Sequence, residues 1–234
     1  MFDNVFSGEA WKTAWDIVRS DFLFATWETL YVTLAATFFA VVLGLPFGII
    51  LATGDEKGVL PIPKWLLKVT SAVINVLRSV PFLILMMLAI PLTRVIVGTS
   101  VGTAASIVPL VVASFPFVAR LVETSLREVD KNVIEAAESM GATPLQIIFR
   151  VMIPESVPSL IQNLTVAATT VLSYSAMGGA MGGGGLGNVA IMQGYYRYQY
   201  PVMLLAVVVL VAIVGVIQAV GTHLATCLDK RLKK

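Results

Sequence analysis

One cysteine, Cys227, and one histidine, His223, are all that the 234 residues contain of either type. A disulfide framework and a cysteine–histidine metal centre are therefore both excluded. His223 falls near the end of the last apolar run, where a solvated or interfacial residue is expected. An intramembrane enzyme would lack both a metal pattern and a nucleophile–base pair. Charge is scarce too: Asp, Glu, Lys and Arg amount to 13% of the chain against 57% hydrophobic residues, a balance foreign to soluble domains. The central apolar runs hold no Asp or Glu, the groups an ion-coupled secondary transporter needs at membrane depth. No G-x-x-x-x-G-K-S/T occurs, so the chain does not hydrolyse ATP by itself. Gly182, Gly184 and Gly187 do match G-x-G-x-x-G, but no βαβ pattern surrounds them and no acid lies about twenty residues on. A net charge of +2 gives no case for nucleic acid.

What is present is apolar length. Residues 29–53, 95–119, 156–196 and 198–228 carry no charge, and residues 69–93 are interrupted only by Arg78. A bilayer core of ~30 Å takes about 20 apolar residues per helix. Five transmembrane helices are predicted, near 29–52, 72–93, 98–119, 157–178 and 201–225, in an all-α polytopic membrane protein. Three domains follow: an external N-terminal segment over 1–28, a transmembrane domain over 29–228 with a cytoplasmic loop at 120–156, and a basic tail at 229–234. The first segment carries Trp11, Trp15 and Trp27 and lacks the basic start and apolar core of a cleavable signal peptide. It reads as a helix lying on the membrane surface.

Orientation follows from the bases. With the N-terminus outside, the cytoplasmic side holds Lys57, Lys64, Lys68, Arg120, Arg127, Lys131, Arg150, Lys230, Arg231, Lys233 and Lys234. The external side holds only Lys12, Arg19, Arg94 and Arg197. Eleven against four favours N-out, C-in. Arg78 is the sixteenth base, expected to face a cavity or to snorkel, with Asn75 one turn back on its helix face and Ser79 next in the chain as polar company.

Local patterns refine the spans. Gly44 and Gly48, four apart around Pro46, predict close helix packing in the first span. Residues 91–102 read as a tight external connection, and Ser106 and Ser114 as partners for backbone groups freed by Pro109 and Pro116. The hydroxyls and amides from Gln162 to Ser175 suggest a polar pathway face. The glycines over 178–187 suggest a broken helix, and the tyrosines over 195–200 an external aromatic belt.

The long polar interruption at 132–154 reads as two short helices. Asn132 with Glu135 gives a capping-box pattern, and Gly141 a left-handed stop. Thr143, Pro144 and Gln146 supply a second cap and box, and Pro154 closes the second helix. Val133, Ala136, Ala137 and Met140 share one narrow apolar face, suited to docking in a groove on another protein.

Glu135-Ala136-Ala137, Gly141, then Val151-x-Ile153-Pro154 resembles the EAA loop of ABC importer permeases, with Val151 and Ile153 where the family prefers Ile and Leu. Arg78-Ser-Val-Pro-Phe82, residues 91–100, and Tyr174-Ser-Ala-Met-Gly-Gly-Ala180 through Gly184-Gly-Leu-Gly187 look like the methionine importer branch of that family. The resemblance spans roughly residues 26–230. It implies a type I ABC importer permease fold in the bacterial inner membrane, and a homodimer of five-helix subunits in the lipid bilayer. It also implies two cytoplasmic ABC ATPases that bind ATP and Mg, an external methionine-binding protein or lipoprotein, and no cofactor on this chain. The substrate implied is methionine, with D-methionine and derivatives as further cargo; another amino acid or a compatible solute is the alternative. Transport would be by alternating access, with Glu135, Ala136, Ala137, Gly141, Val151, Ile153 and Pro154 coupling to the ATPase. By position along the chain, Ser175 and Met177 are gate candidates at the external end of the fourth helix. Asn75 and Arg78 are candidates for the inner pathway.

Overall fold

The computed structural model describes residues 8–56 and 58–229. Lys57, Lys230, Arg231, Lys233 and Lys234, five of the bases used for orientation, lie outside the described residues.

Every regular element among the described residues is helical. In chain order they are α1 (Gly8–Ile17), α2 (Leu23–Thr53), α3 (Lys64–Ser79), α4 (Phe82–Leu88), α5 (Ile90–Val97), α6 (Thr103–Arg127), α7 (Lys131–Ser139), α8 (Pro144–Ile147), α9 (Ile153–Gly178), α10 (Gly185–Asn188) and α11 (Tyr200–Leu228). Three stretches are long and apolar enough to cross a membrane alone: Ala14–Thr53, Thr103–Arg127 and Tyr200–Leu228. The bent pair α3 and α4 makes a fourth where the two are counted as one span. The 26-residue α9 covers the fourth expected span in position, though it is not among the helices apolar enough to cross alone, and the all-α membrane architecture holds.

The boundaries differ in instructive ways. The second span is not one helix over 72–93. Pro81 disfavours helical backbone at the residue before it, so Val80 is extended at ψ 129 and the chain bends by 107° between α3 and α4. Residues 90–93, expected at the end of the second span, and 94–97, expected in the external connection, together form a separate helix, α5, because Pro91 suits the first turn of a helix. The true connection is 98–102, where Gly98 and Gly102 take φ of +81 and +105. At the start of the chain no break occurs at residue 28: α1 passes through a π turn, Val18–Phe22, into α2.

By their contacts the residues form two compact units, one of Met1–Thr37, Pro81–Val112 and Ala168–Ile217, the other of Phe38–Val80, Ala113–Ala167 and Gln218–Lys234. In the first, Ala14, Phe22 and Ala25 pack with Leu186, Val189, Ala190, Val202 and Ala206. Val32 and Ala36 of α2 meet Leu110 and Val111 of α6 and Val171 of α9. Phe82 stacks on Tyr174 with ring centroids 4.4 Å apart and planes 4° from parallel.

In the second unit, the small pair of α2 does what its spacing predicts. A Cβ on Gly48 would lie 2.6 Å from the Val122 Cβ and 2.7 Å from the Ala119 carbonyl, and one on Gly44 would lie 2.9 Å from the Phe115 carbonyl. α2 and α6 therefore approach backbone to side chain, with Val118, Val122 and Leu126 buried. The polar residues of α9 serve partly as fasteners here: the Asn163 amide donates to the Ser125 Oγ at 2.7 Å, and the Ser159 hydroxyl reaches the same atom at 3.2 Å. In α6 the expected satisfaction is not realised. Ser106 donates to Thr103 at 2.7 Å, outside the turns Pro109 and Pro116 disrupt, and the buried Ser114 hydroxyl has no partner.

Candidate functional site

The segment between α6 and α9 is built by local rules. Asp130, not Asn132, caps α7: its carboxylate accepts from the Asn132 N–H at 2.9 Å. The helix thus starts ahead of the expected box, and Glu135 lies beyond its first turn with its carboxylate free of capping duty. Met140 ends the helix, and Gly141 turns the chain at φ +80. In α8 the Gln146 side chain accepts from the Thr143 N–H at 2.9 Å, and Pro144 holds the first helical position.

Pro154 does not close this second helix. Between α8 and α9 the backbone widens into a π turn, Ile148–Met152, in which the Ile153 N–H donates to the Ile148 carbonyl five residues back. The shifted ladder carries the helix past a proline that has no N–H to offer. The helix consequently runs from Pro144 to Gly178 without a loop.

Burial divides the segment into two faces. Ala137, Ile147, Ile148 and Met152 sink into a core with Ala40, Ile49, Val118, Val122 and Leu126, and Val151 and Ile153 pack half-buried against it. Ala137 is therefore turned away from any docking surface, a correction to the four-residue stripe, because its Cβ leaves α7 on the side facing α6. The outward face keeps Val133 (41% exposed), Met140 (82%), Leu145 (58%) and Phe149 (59%), with Ala136, Gly141 and Pro154 also exposed. Leu145 and Phe149 escaped the reading of 132–154, although their spacing of four places them on one helical face.

Beside this face lies a groove of about 480 Å³ lined by Glu135, Glu138 and Lys131 of α7, Arg127 of α6, and Asp55 and Val59 of the first loop. Its charged wall belongs to a network. Arg127 contacts Asp55 at 3.1 Å and Glu123 at 3.1 Å, and donates to the Leu51 carbonyl at 2.9 Å. Glu123, 9% exposed, also takes Arg120 at 2.6 Å. Arg120 in turn donates to Ser71 at 2.7 Å and to the Asn75 Oδ1 at 2.9 Å. One buried carboxylate shared by two guanidiniums thus joins α3, α6 and the first loop. A buried pair of this kind fixes geometry more surely than it adds stability. The spacing Arg120, Glu123, Arg127 is a visible i, i+3, i+4 ladder, which the orientation count had used only as charge.

The pathway candidates fall in different units. In the second, Asn75 is taken by Arg120, while Arg78 is exposed on the last turn of α3 just before the bend. In the first, the Ser175 hydroxyl donates to the Leu172 carbonyl at 2.8 Å, and Met177 is exposed at the end of α9. What this arrangement supplies is a set of exposed apolar side chains, a fixed charge network along the neighbouring groove, and a helix that continues into α9.

Comparison with known proteins gives a consistent result. A family model described as binding-protein-dependent transport system inner membrane component matches residues 44–234. The probable D-methionine transport system permease protein MetI of Vibrio cholerae is 48% identical over 93% of this chain and 96% of its own length. The methionine import system permease protein MetP of Bacillus subtilis is 48% identical over 75% of this chain and 79% of its own. Among solved structures, inward-facing conformations of the MetNI methionine ABC transporter superpose with a TM-score of 0.85 at 44% identity, over 87% of this chain and 94% of that one. These are type I ABC importer folds, and the chain belongs to the inner-membrane permease family of binding-protein-dependent transport systems.

Proposed function

We infer that this chain is the membrane-spanning permease subunit of an ATP-driven methionine importer. The observation that carries the mechanism is the set of exposed apolar side chains Val133, Met140, Leu145 and Phe149: the last two stand on a helix that leads without a loop into α9, and the first two lie on and at the end of α7, joined to that helix by the Gly141 turn. An isolated apolar patch of this kind on a polar segment suits a protein partner. Two copies of the chain pair with two cytoplasmic ABC ATPases, which hold ATP and Mg, and with an external binding protein. The N-terminus is outside and the C-terminus inside, the orientation that eleven bases against four favour.

In this reading ATP draws the ATPases together, and Glu135, Ala136, Gly141 and Pro154, with the apolar face around them, pass that motion on. Ala137, Val151 and Ile153 act from within, by seating the coupling helices on their own core. The pathway opens outward at Ser175 and Met177 and inward past Asn75 and Arg78. Methionine, and derivatives such as its D-isomer, is held only weakly on the way through, since a tight site would retain it.

Labelled L-methionine uptake into vesicles holding the permease, its ATPase and its binding protein tests this directly. Uptake is expected to need all three components and ATP. ATP-coupled uptake of a different solute would move the substrate assignment to another amino acid or a compatible solute. Uptake without ATP would overturn the coupling role of residues 132–154.

A further inference from the structure

Glu28 takes no part in anything described so far. It sits half-buried in α2, in the first unit. Its Oε1 accepts from the Thr103 hydroxyl at the start of α6 at 2.7 Å, and its Oε2 accepts from the Gly185 N–H at the start of α10 at 2.8 Å. The buried Thr29 beside it accepts from the Leu186 N–H at 2.8 Å and donates to the Ala25 carbonyl at 2.9 Å. Among the described residues no Lys or Arg pairs with this carboxylate. A charge in an otherwise apolar span is costly, yet this one is met only by a hydroxyl and a backbone amide.

The glycine loop is shaped to receive it. Gly182, Gly184 and Gly185 have φ of +82, +74 and +74. A Cβ on Gly184 would lie 2.9 Å from the Glu28 carboxylate, and one on Gly185 would lie 2.7 Å from the Thr29 Oγ1. The glycines thus bring bare backbone against two consecutive side chains of α2. The Gly102 N–H, donating to the Gly182 carbonyl at 3.0 Å, ties the same loop to the chain just before α6. Ser175 shares the wall of a cavity of about 10 Å³ with Glu28 and Gly184, so the loop both follows and borders the end of α9.

We propose that Glu28 is a positioning residue, a latch whose carboxylate holds the glycine loop against the start of α6 and so sets the outer end of α9 for transport. The proposal rests on the permease reading above. Two donors share one carboxylate, and charge-assisted hydrogen bonds are the strong kind. Its removal leaves the Gly185 N–H and the Thr103 hydroxyl without their acceptor.

The test uses the assembled permease, ATPase and binding protein carrying Glu28→Ala, Glu28→Gln, Thr103→Val, or Glu28→Ala with Thr103→Val. Glutamine can rebuild both contacts, its oxygen taking the Gly185 N–H and its amide donating to the Thr103 hydroxyl. Methionine uptake per ATP hydrolysed is expected to fall about tenfold in Glu28→Ala and to return within about threefold of normal in Glu28→Gln. Thr103→Val should lower the ratio less, and add nothing in the Glu28→Ala background. Amide exchange over residues 182–190 should speed up about tenfold in Glu28→Ala and not in Glu28→Gln. The latch is overturned by an unchanged ratio and exchange in Glu28→Ala, by an equal loss in Glu28→Gln, or by a loss that only follows the amount of assembled complex. Should the unaltered complex import no methionine, the substrate reading falls on its own, and the exchange measurement still decides the latch.

Discussion

Gly141 isolates a single physical effect. Its φ is +80, and nothing lies within 4 Å of where a Cβ would be. An alanine there would meet no neighbour, so its cost is the left-handed backbone alone, about 1–2 kcal/mol. Gly141→Ala is expected to reduce recovery of the ATPase with the purified permease several-fold, while Gly141→Asn, whose side chain tolerates that backbone, loses less. Equal recovery with both variants would show that the turn between α7 and α8 does not govern docking. This turn was legible in the sequence, as were Thr143, Pro144 and Gln146, because caps and boxes are set by neighbours in the chain. The cap of α7 was not: Asn132 and Asp130 both fit a cap, and choosing between them takes the position of α7 on its core. The same core claims Ala137, which a stripe drawn on an isolated helix had left facing outward.

At the scale of elements, α2 and α6 meet through Gly44 and Gly48, and their contact is close enough to be a sharp test. Gly48→Ala brings a methyl into Val122 and the Ala119 carbonyl, an overpacking worth about 1–3 kcal/mol. Thermal unfolding of the detergent-solubilised protein should shift down in Gly48→Ala, and Gly48→Leu should fail to accumulate in the membrane. Normal stability of Gly48→Leu would mean that α2 and α6 can part without loss. The positions of the spans were readable because apolar length is a one-dimensional property. The 107° bend after α3 was not, although Pro81 marks it, because the apolar run continues unbroken across the proline. One bond of the polar residues of α9 could not be read in advance. The Asn163 amide reaches Ser125, 38 residues away in sequence.

For the whole molecule, orientation is the property that charge distribution predicts most directly. In a Cys227→Ser background, a membrane-impermeant thiol reagent applied to intact cells should label Tyr196→Cys and leave Ser139→Cys unlabelled until the membrane is opened. The opposite pattern would invert the topology and remove residues 132–154 from reach of a cytoplasmic ATPase. Helix geometry adds a consequence of the π turn between α8 and α9. Each residue advances an α-helix by about 100°, so the number of residues between Pro144 and Asn163 sets the angular phase at which Asn163 faces Ser125. Exchanging side chains within Ile148–Met152 leaves that phase intact. Deleting one residue there would remove the surplus residue that the wide turn takes up and return the ladder to a spacing in which Pro154 leaves a carbonyl unpaired, which makes the length of this turn a stricter requirement than its composition.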